Sequence, residues 1–102
     1  LMFDLEYVQN NNFNRHKQYA FLRKYNEETL LVIVNFDARE VEINVNIPPA
    51  AFTYLDMSVA ESVKWHDLLS EKDITTSCLK ADSPISIKVP AWKGLILQMQ
   101  KL

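Results

Sequence analysis

Residues 18–36 read QYAFLRKYNEETLLVIVNF, and this stretch indicates the fold more clearly than any other part of the chain. Its first eight residues carry an aromatic residue or an arginine at every second position, which is the period of a β-strand with two different faces. Asn26, Glu27 and Glu28 are suited to a hairpin tip. Residues 29–36 form an almost unbroken apolar run, typical of a strand that is buried on both faces. The stretch therefore predicts a β-hairpin.

Shorter alternating patterns elsewhere in the chain predict further strands. They cover residues 3–8, 40–47, 63–70, 73–79, 85–89 and 92–99. Pro48 and Pro49 cannot continue a central strand, and residues 50–54 are expected to form a helical turn. Seven or eight short strands with frequent turn signals and no long helix predict an all-β fold, an antiparallel Greek-key β-sandwich.

The composition argues against several classes of function. The chain has 102 residues, enough for one domain, and its net charge of −2 gives no electrostatic footprint for nucleic acid. The longest apolar run, residues 30–34, is far too short to span a bilayer, so no membrane partner is expected. Gly94 is the only glycine, which excludes a glycine-rich phosphate loop. Cys78 is the only cysteine, so the chain forms no internal disulfide, and cytoplasm and periplasm both stay open as locations.

Several weak motifs follow one another in an order that resembles the C-terminal β-sandwich of α-amylase-family glycoside hydrolases. They are AFLRKY at 20–25, the apolar run at 30–34, Asn-Phe-Asp at 35–37, Ile-Pro at 47–48, Asp-Leu-Leu-Ser at 67–70, ISIKVPAW at 85–92 and Leu-Ile-Leu at 95–97. The resemblance extends over residues 3–99 and leaves 52–64 poorly matched. Trp92 departs from the pattern, because family members often carry a tyrosine or a small residue there.

The resemblance implies a fold and a role. In that family an all-β domain of this size follows a catalytic (β/α)8 barrel, a fold that by itself takes about 250 residues. Residues 1–102 are accordingly expected to be a single C-terminal accessory domain, cut from a longer α-glucan-acting enzyme. Its partner would be the catalytic barrel of the same parent chain. The chain begins with Leu1 in a strand-like segment, which fits this expectation.

The expected chemistry lies outside the chain. A glycosidase needs two carboxyl groups across the scissile bond, one of them kept protonated. Glu27 and Glu28 belong to a solvated hairpin tip, and Glu40 and Glu42 share the polar face of an exposed strand, so no catalytic residue is predicted. The two histidines and the lone cysteine have no metal-ligand spacing, so neither a metal site nor a cofactor is expected.

Two other classes of function stay open. An independent carbohydrate-binding module would stack α-glucan on exposed aromatic rings. The candidates are Trp65 and Trp92, with Tyr54 and Phe52 as further ones, although large aromatic residues more often serve cores and interfaces. An immunoglobulin-like interaction domain rests on the fold alone. A domain removed from its parent should also expose an apolar patch, and a homodimer through that patch or an edge strand is a further expectation.

Overall fold

The computed structural model describes residues 1–5, 13–14 and 16–101. Its elements follow the order β1 (Met2–Asp4), β2 (Gln18–Tyr25), β3 (Glu28–Asn35), β4 (Val41–Val45), α1 (Pro49–Leu55), β5 (Ala60–Asp67), β6 (Asp73–Leu79), β7 (Ile85–Val89) and β8 (Lys93–Lys101). All strand pairs are antiparallel. No helix within these residues is long and apolar enough to cross a membrane.

The strands form two sheets that face each other across one core. The larger sheet has the order β1-β2-β3-β8-β5-β6, and the smaller sheet pairs β4 with β7. The chain crosses between the sheets before and after β4 and again before and after β7, so that β8 returns to lie between β3 and β5. The prediction of an all-β Greek-key sandwich with seven or eight strands is therefore confirmed.

The core lies between the two sheets. Leu31, Ile33 and Leu97 of the large sheet and Ile43 and Ile87 of the small sheet are essentially inaccessible to solvent. Each of these strands buries alternate residues because successive side chains point to opposite faces of a sheet.

The prediction that β3 is buried on both faces is only half right. Its inward residues are fully buried, whereas Leu30, Val32 and Val34 on the opposite face are half-buried. Hydrogen bonds to β2 and β8 satisfy both edges of this central strand, but the backbone pairing does not cover its outward side chains. An apolar run thus predicted a central strand correctly without showing what covers its second face.

Several predicted bounds shifted. The strand expected at 63–70 is β5 (Ala60–Asp67), because residues 68–70 form a turn around the Asp67 side chain. The helical turn expected at 50–54 is the longer helix α1. Of the strand expected at 3–8, the structure contains β1, and residues 6–8 lie outside the described residues.

Asn35 links the two sheets at the end of β3. Its side chain is fully buried. The side-chain oxygen accepts hydrogen bonds from Gln18 Nε2 (3.1 Å) and from the Asp37 N–H (3.0 Å). The side-chain nitrogen donates to the carbonyl oxygens of Arg39 (3.0 Å), Val89 (3.1 Å) and Pro90 (3.3 Å). This residue therefore fixes the end of β3 against the end of β7 and the start of the turn that leads into β8.

Candidate functional site: the outer face of the six-stranded sheet

The large sheet turns an apolar face away from the core. The strand registers align Tyr19 with Val34, Phe21 with Val32, and Val32 in turn with Ile96 on β8. Residues that are directly opposite on neighbouring strands project from the same side of a sheet. We name as the outer apolar face the six half-buried residues Tyr19, Phe21, Leu30, Val32, Val34 and Ile96. The Tyr19 and Phe21 rings lie 5.7 Å apart at a tilt of 45°.

One end of this face carries large exposed apolar side chains. Asn35 pairs with Lys93, so Phe36 and Trp92 are the next residues beyond the last pair of β3 and β8. Phe36 is 54% exposed and Trp92 is 66% exposed. The Trp92 N–H donates to the Asp37 carbonyl (3.2 Å), which fixes the turn against the end of β3. At the same end of the sheet, the Leu68 N–H donates to the Ile96 carbonyl (2.9 Å).

Gly94 lies on β8 within this apolar surface, directly opposite Val34 on β3. Trp92 comes two residues before it in the chain, and Ile96 two residues after it. The φ of Gly94 is not positive, so its backbone conformation does not require glycine. A Cβ atom added there would meet the Ile33 carbonyl oxygen at 3.4 Å and Val34 Cγ2 at 3.7 Å, which is ordinary contact. Glycine inside a strand costs roughly 0.5–1 kcal/mol relative to alanine and often marks close approach by another backbone. The fold of this chain does not explain that cost.

Trp92 is the reverse of Gly94: it is a bulky residue at a position where the backbone conformation favours glycine. It adopts a left-handed conformation with φ 57°, a region that favours glycine and is an outlier for bulky residues. Among the residues that the structure describes, the other non-glycine residues with positive φ are polar: Asn26, Asp56, Glu71 and Asp82. A large apolar ring in this conformation is both strained and exposed, and such strain often accompanies a functional role.

The structure separates the two tryptophans that the sequence offered as sugar-binding candidates. Trp65 lies on β5 between Ile74 and Met99 and is fully buried, so its ring is not available to stack on a ligand. Trp92 is exposed and stays a candidate. Gly94 and Phe36 were not predicted as site residues. The signal for Gly94 was present, because an isolated glycine inside a strand pattern indicates close backbone approach.

Polar groups do not converge on a catalytic arrangement in the described part of the chain. A depression of about 410 Å³ between the β2–β3 hairpin and the end of α1 is lined by Lys24, Glu27, Thr29, Asp56, Met57, Ser58 and Met99. The Lys24 ammonium donates to the Asp56 carbonyl there (2.7 Å). Among residues 1–5, 13–14 and 16–101, no group of three or more His, Cys, Asp or Glu residues could hold a metal ion.

His66 holds a small charged cluster at the margin of the outer face. Its Nδ1 lies 2.7 Å from Asp73 Oδ1, and its Nε2 lies 3.4 Å from Glu71 Oε2. The hydrogen bond to Asp73 raises the pKa of His66, and the charges of Asp73 and Glu71 add to this against the opposing effect of burial. The cluster joins β5 to β6.

A family comparison accounts for this combination of an apolar face and few chemical groups. The family described as the C-terminal domain of maltogenic amylase matches residues 7–96. The chain belongs to that family. No curated protein matches the chain.

Solved structures share the fold of this maltogenic amylase C-terminal domain. Alpha-galactosidase I from Mortierella vinacea superposes with a TM-score of 0.61 at 17% identity, covering 87% of this chain and 22% of that one. A Bacillus halodurans C-125 protein, provisionally assigned as an alpha-N-acetylgalactosaminidase, gives a TM-score of 0.59 at 13% identity, with 99% and 21% covered. The present chain therefore spans about a fifth of the length of either protein.

The Asp67-Leu68-Leu69-Ser70 motif of this C-terminal domain organises the turn beside the outer face. Asp67 is 1% exposed. It accepts hydrogen bonds from the Ser70 hydroxyl (2.6 Å) and from the N–H groups of Ile96 (3.1 Å), Leu69 (3.2 Å) and Ser70 (3.3 Å). Burial would raise the pKa of Asp67, but these hydrogen bonds outweigh burial and lower it. This is opposite to what a proton-donating carboxyl group requires.

Replacing Asp67 with alanine should lower the free energy of unfolding by about 2–3 kcal/mol, because the Ile96 and Ser70 donors lose a charged acceptor. The lowered pKa means that the Asp67 contribution is fully present above the unfolded-state value near 3.8 and is lost as the pH falls through the folded-state value. Urea unfolding between pH 7 and pH 2 measures both effects. Glu42→Gln, an exposed carboxyl on β4, is the control and should leave the curve nearly unchanged. An Asp67→Ala variant with the same acid sensitivity as the parent would contradict the assignment.

Proposed function

We propose that this chain is the non-catalytic C-terminal accessory domain of an α-amylase-type glycoside hydrolase that acts on α-glucans. Its role is to pack on an upstream (β/α)8 catalytic barrel of the same polypeptide and to stabilise that barrel. The outer apolar face is the docking surface. The observation that carries the proposal is the half-exposed apolar face on the central strands of the large sheet.

Physical arguments support this assignment of the face. Soluble monomers rarely expose large contiguous apolar patches, and such patches usually mark interaction sites. A (β/α)8 barrel carries an outer ring of helices, which supplies helical surfaces that a sheet face can cover. Charged groups lie at the margins of the outer face and not at its centre. Arg23 is aligned beside Leu30 at the far margin, and Asp4 on β1 is aligned beside Phe21 and accepts a hydrogen bond from the Tyr19 hydroxyl (3.4 Å). The His66 cluster lies on the opposite side, beyond β8. An uncharged centre is typical of the core of a protein interface.

The first measurement is the intact mass of the native gene product that contains this sequence. A catalytic barrel takes about 250 residues, so the product should be several times heavier than the 11.9 kDa of these residues. A native product of about 11.9 kDa would leave no room for the barrel and would overturn the proposal.

The docking face is tested by Val32→Lys in that native product. Val32 lies at the centre of the face, so docking would bury an unpaired ammonium, and we expect a loss of about 3 kcal/mol or more together with faster thermal inactivation. In the 102-residue chain the lysine stem can lie along the sheet with its charge in water, and the loss should stay below about 1 kcal/mol.

Ser86→Lys is the matched control for this experiment. Ser86 is exposed on β7 of the small sheet, on the opposite side of the molecule from the outer apolar face. It should leave both the native product and the 102-residue chain nearly unaffected. Equal small losses for Val32→Lys in the product and in the separate domain would show that the face is not buried in the parent.

A second function, binding of α-glucan, is favoured by one observation: Phe36 and Trp92 are both exposed at the same end of the sheet. Under this alternative the separate domain is retarded by soluble starch in native gel electrophoresis, and Trp92→Ala abolishes the retardation. Migration that is independent of starch, for both the parent and Trp92→Ala, would contradict it.

A further inference from the structure

Trp92, in the turn before β8, and Gly94, near the start of β8, each occupy a position whose backbone conformation favours the other type of residue. Trp92 occupies a left-handed turn position where glycine is favoured, and Gly94 occupies an extended strand position where a side chain is favoured. We propose that this pair forms the anchor of the docking face. A backbone segment of the catalytic domain lies directly against the sheet at Gly94, and the Trp92 ring packs along the side of that segment. The inference rests on the proposed function and specifies where the closest contact occurs.

Gly94 provides the low point that such a contact requires. Its neighbours on the same face are Val34 across the strand pair and Ile96 along the strand, and both carry side chains. The missing Cβ therefore leaves a notch in an otherwise continuous apolar surface. Because a Cβ would fit without clash and φ is not positive, the chain itself does not need the notch. Glycine at a site of close helix or backbone approach is a recurrent device in packed structures.

In the proposed anchor, Trp92 forms the wall of the notch. Its ring is 66% exposed, so its left-handed conformation is not offset by burial within the chain. Large aromatic side chains are the residues that most often anchor interfaces, because each buries a large apolar area. Phe36, at 54% exposure, adds a second ring beyond the same strand pair.

The surroundings favour a protein segment over a sugar as the occupant. Sugar sites combine a stacking ring with polar groups that fix the hydroxyls. Here the nearest residues in the register, Val34 and Ile96, are apolar. The Asp37 carboxylate is already engaged, because it accepts the Arg39 N–H (3.2 Å) and lies near the Lys17 ammonium (3.9 Å).

The length of the proteins that share this fold points to the catalytic domain as that segment's source. In both solved structures the matching region is 21–22% of the chain, so most of each polypeptide is available to cover the sheet. We therefore commit to a segment of the same polypeptide rather than to a second copy of this domain.

The test compares Gly94→Gln and Trp92→Asn in two proteins, the full native gene product and the separate 102-residue chain. In the separate chain, Gly94→Gln replaces glycine in a strand, and Trp92→Asn places a residue that tolerates the left-handed conformation at position 92. The melting temperature of the separate chain should therefore stay the same or rise. In the native product, the first change fills the notch and the second removes its wall, so the melting temperature should fall by several degrees. The domain should also be released faster by limited proteolysis. Ser86→Gln on the small sheet is the matched control and should be silent in both proteins.

Each other outcome overturns the inference in a recognisable way. A fall in the melting temperature of the separate chain would make Gly94 and Trp92 internal structural residues. If Val32→Lys destabilises the native product while Gly94→Gln and Trp92→Asn are both silent, the docking function stands and the anchor is wrong. If Trp92→Asn weakens starch binding without changing the stability of the product, the occupant is a glucan. Dissociation of a dimer of the separate chain by Gly94→Gln, with the product unaffected, would identify a second copy.

Discussion

Replacing Asn35 with leucine is expected to lower the free energy of unfolding by about 3–5 kcal/mol, which is enough to unfold many small domains. Leucine has a similar size, so the loss does not come from a cavity. It comes from the buried groups that lose their partner, including Gln18 Nε2, the Asp37 N–H and the Val89 carbonyl. Each buried polar group left without a partner costs about 1–3 kcal/mol. Urea unfolding followed by circular dichroism measures the change.

Two further variants make the Asn35 prediction specific. Asn35→Asp keeps the shape and the acceptor but removes the donor to Val89 and Pro90 and buries a charge, so it should be about as damaging as leucine. Asn44→Ala, on β4, loses only an exposed hydrogen bond to Ser86 and should cost less than about 1 kcal/mol. If Asn35→Asp were as stable as the parent, the link between the two sheets would not depend on the amide.

The second large effect is expected at Trp65. Truncating this fully buried ring to alanine should cost about 3–5 kcal/mol, because it removes a large apolar area and leaves a cavity between Ile74 and Met99. Trp92→Ala is the matched comparison within the same chain. Its ring is exposed, and alanine is disfavoured in the left-handed conformation as tryptophan is. The free energy of unfolding of the separate chain should therefore change by less than about 1 kcal/mol.

Fluorescence distinguishes the two tryptophans independently of stability. Acrylamide should quench Trp92 strongly and Trp65 weakly, so a Trp92→Phe variant should retain only the weakly quenched emission. Strong quenching in that variant would mean that Trp65 is accessible, and the expected order of the two destabilisations would then be wrong.

Local sequence pattern was sufficient where local forces decide the structure. The β2–β3 hairpin was predicted from alternation and from Asn26, which adopts the left-handed conformation that its turn requires. The bounds of β6 and β7 match the predicted strands at 73–79 and 85–89, because turns and prolines delimit them in the sequence. The β5 strand was placed three residues too late, because Asp67 serves the following turn through tertiary contact with Ile96.

The amino-acid sequence by itself determined the all-β class, the hairpin and the family, since period-2 alternation, turn residues and motif order are properties of neighbouring positions. Only the tertiary structure decided which of the two tryptophans is buried. Trp65 lies within an alternating segment and Trp92 directly after a proline-bounded one, and neither local pattern shows whether the ring is covered. It also decided that Asn35 joins two sheets, since its partners at Val89 and Pro90 lie more than fifty positions along the chain. The outer apolar face likewise arises only when β2, β3 and β8 lie side by side, because strand order and register set which side chains share a surface.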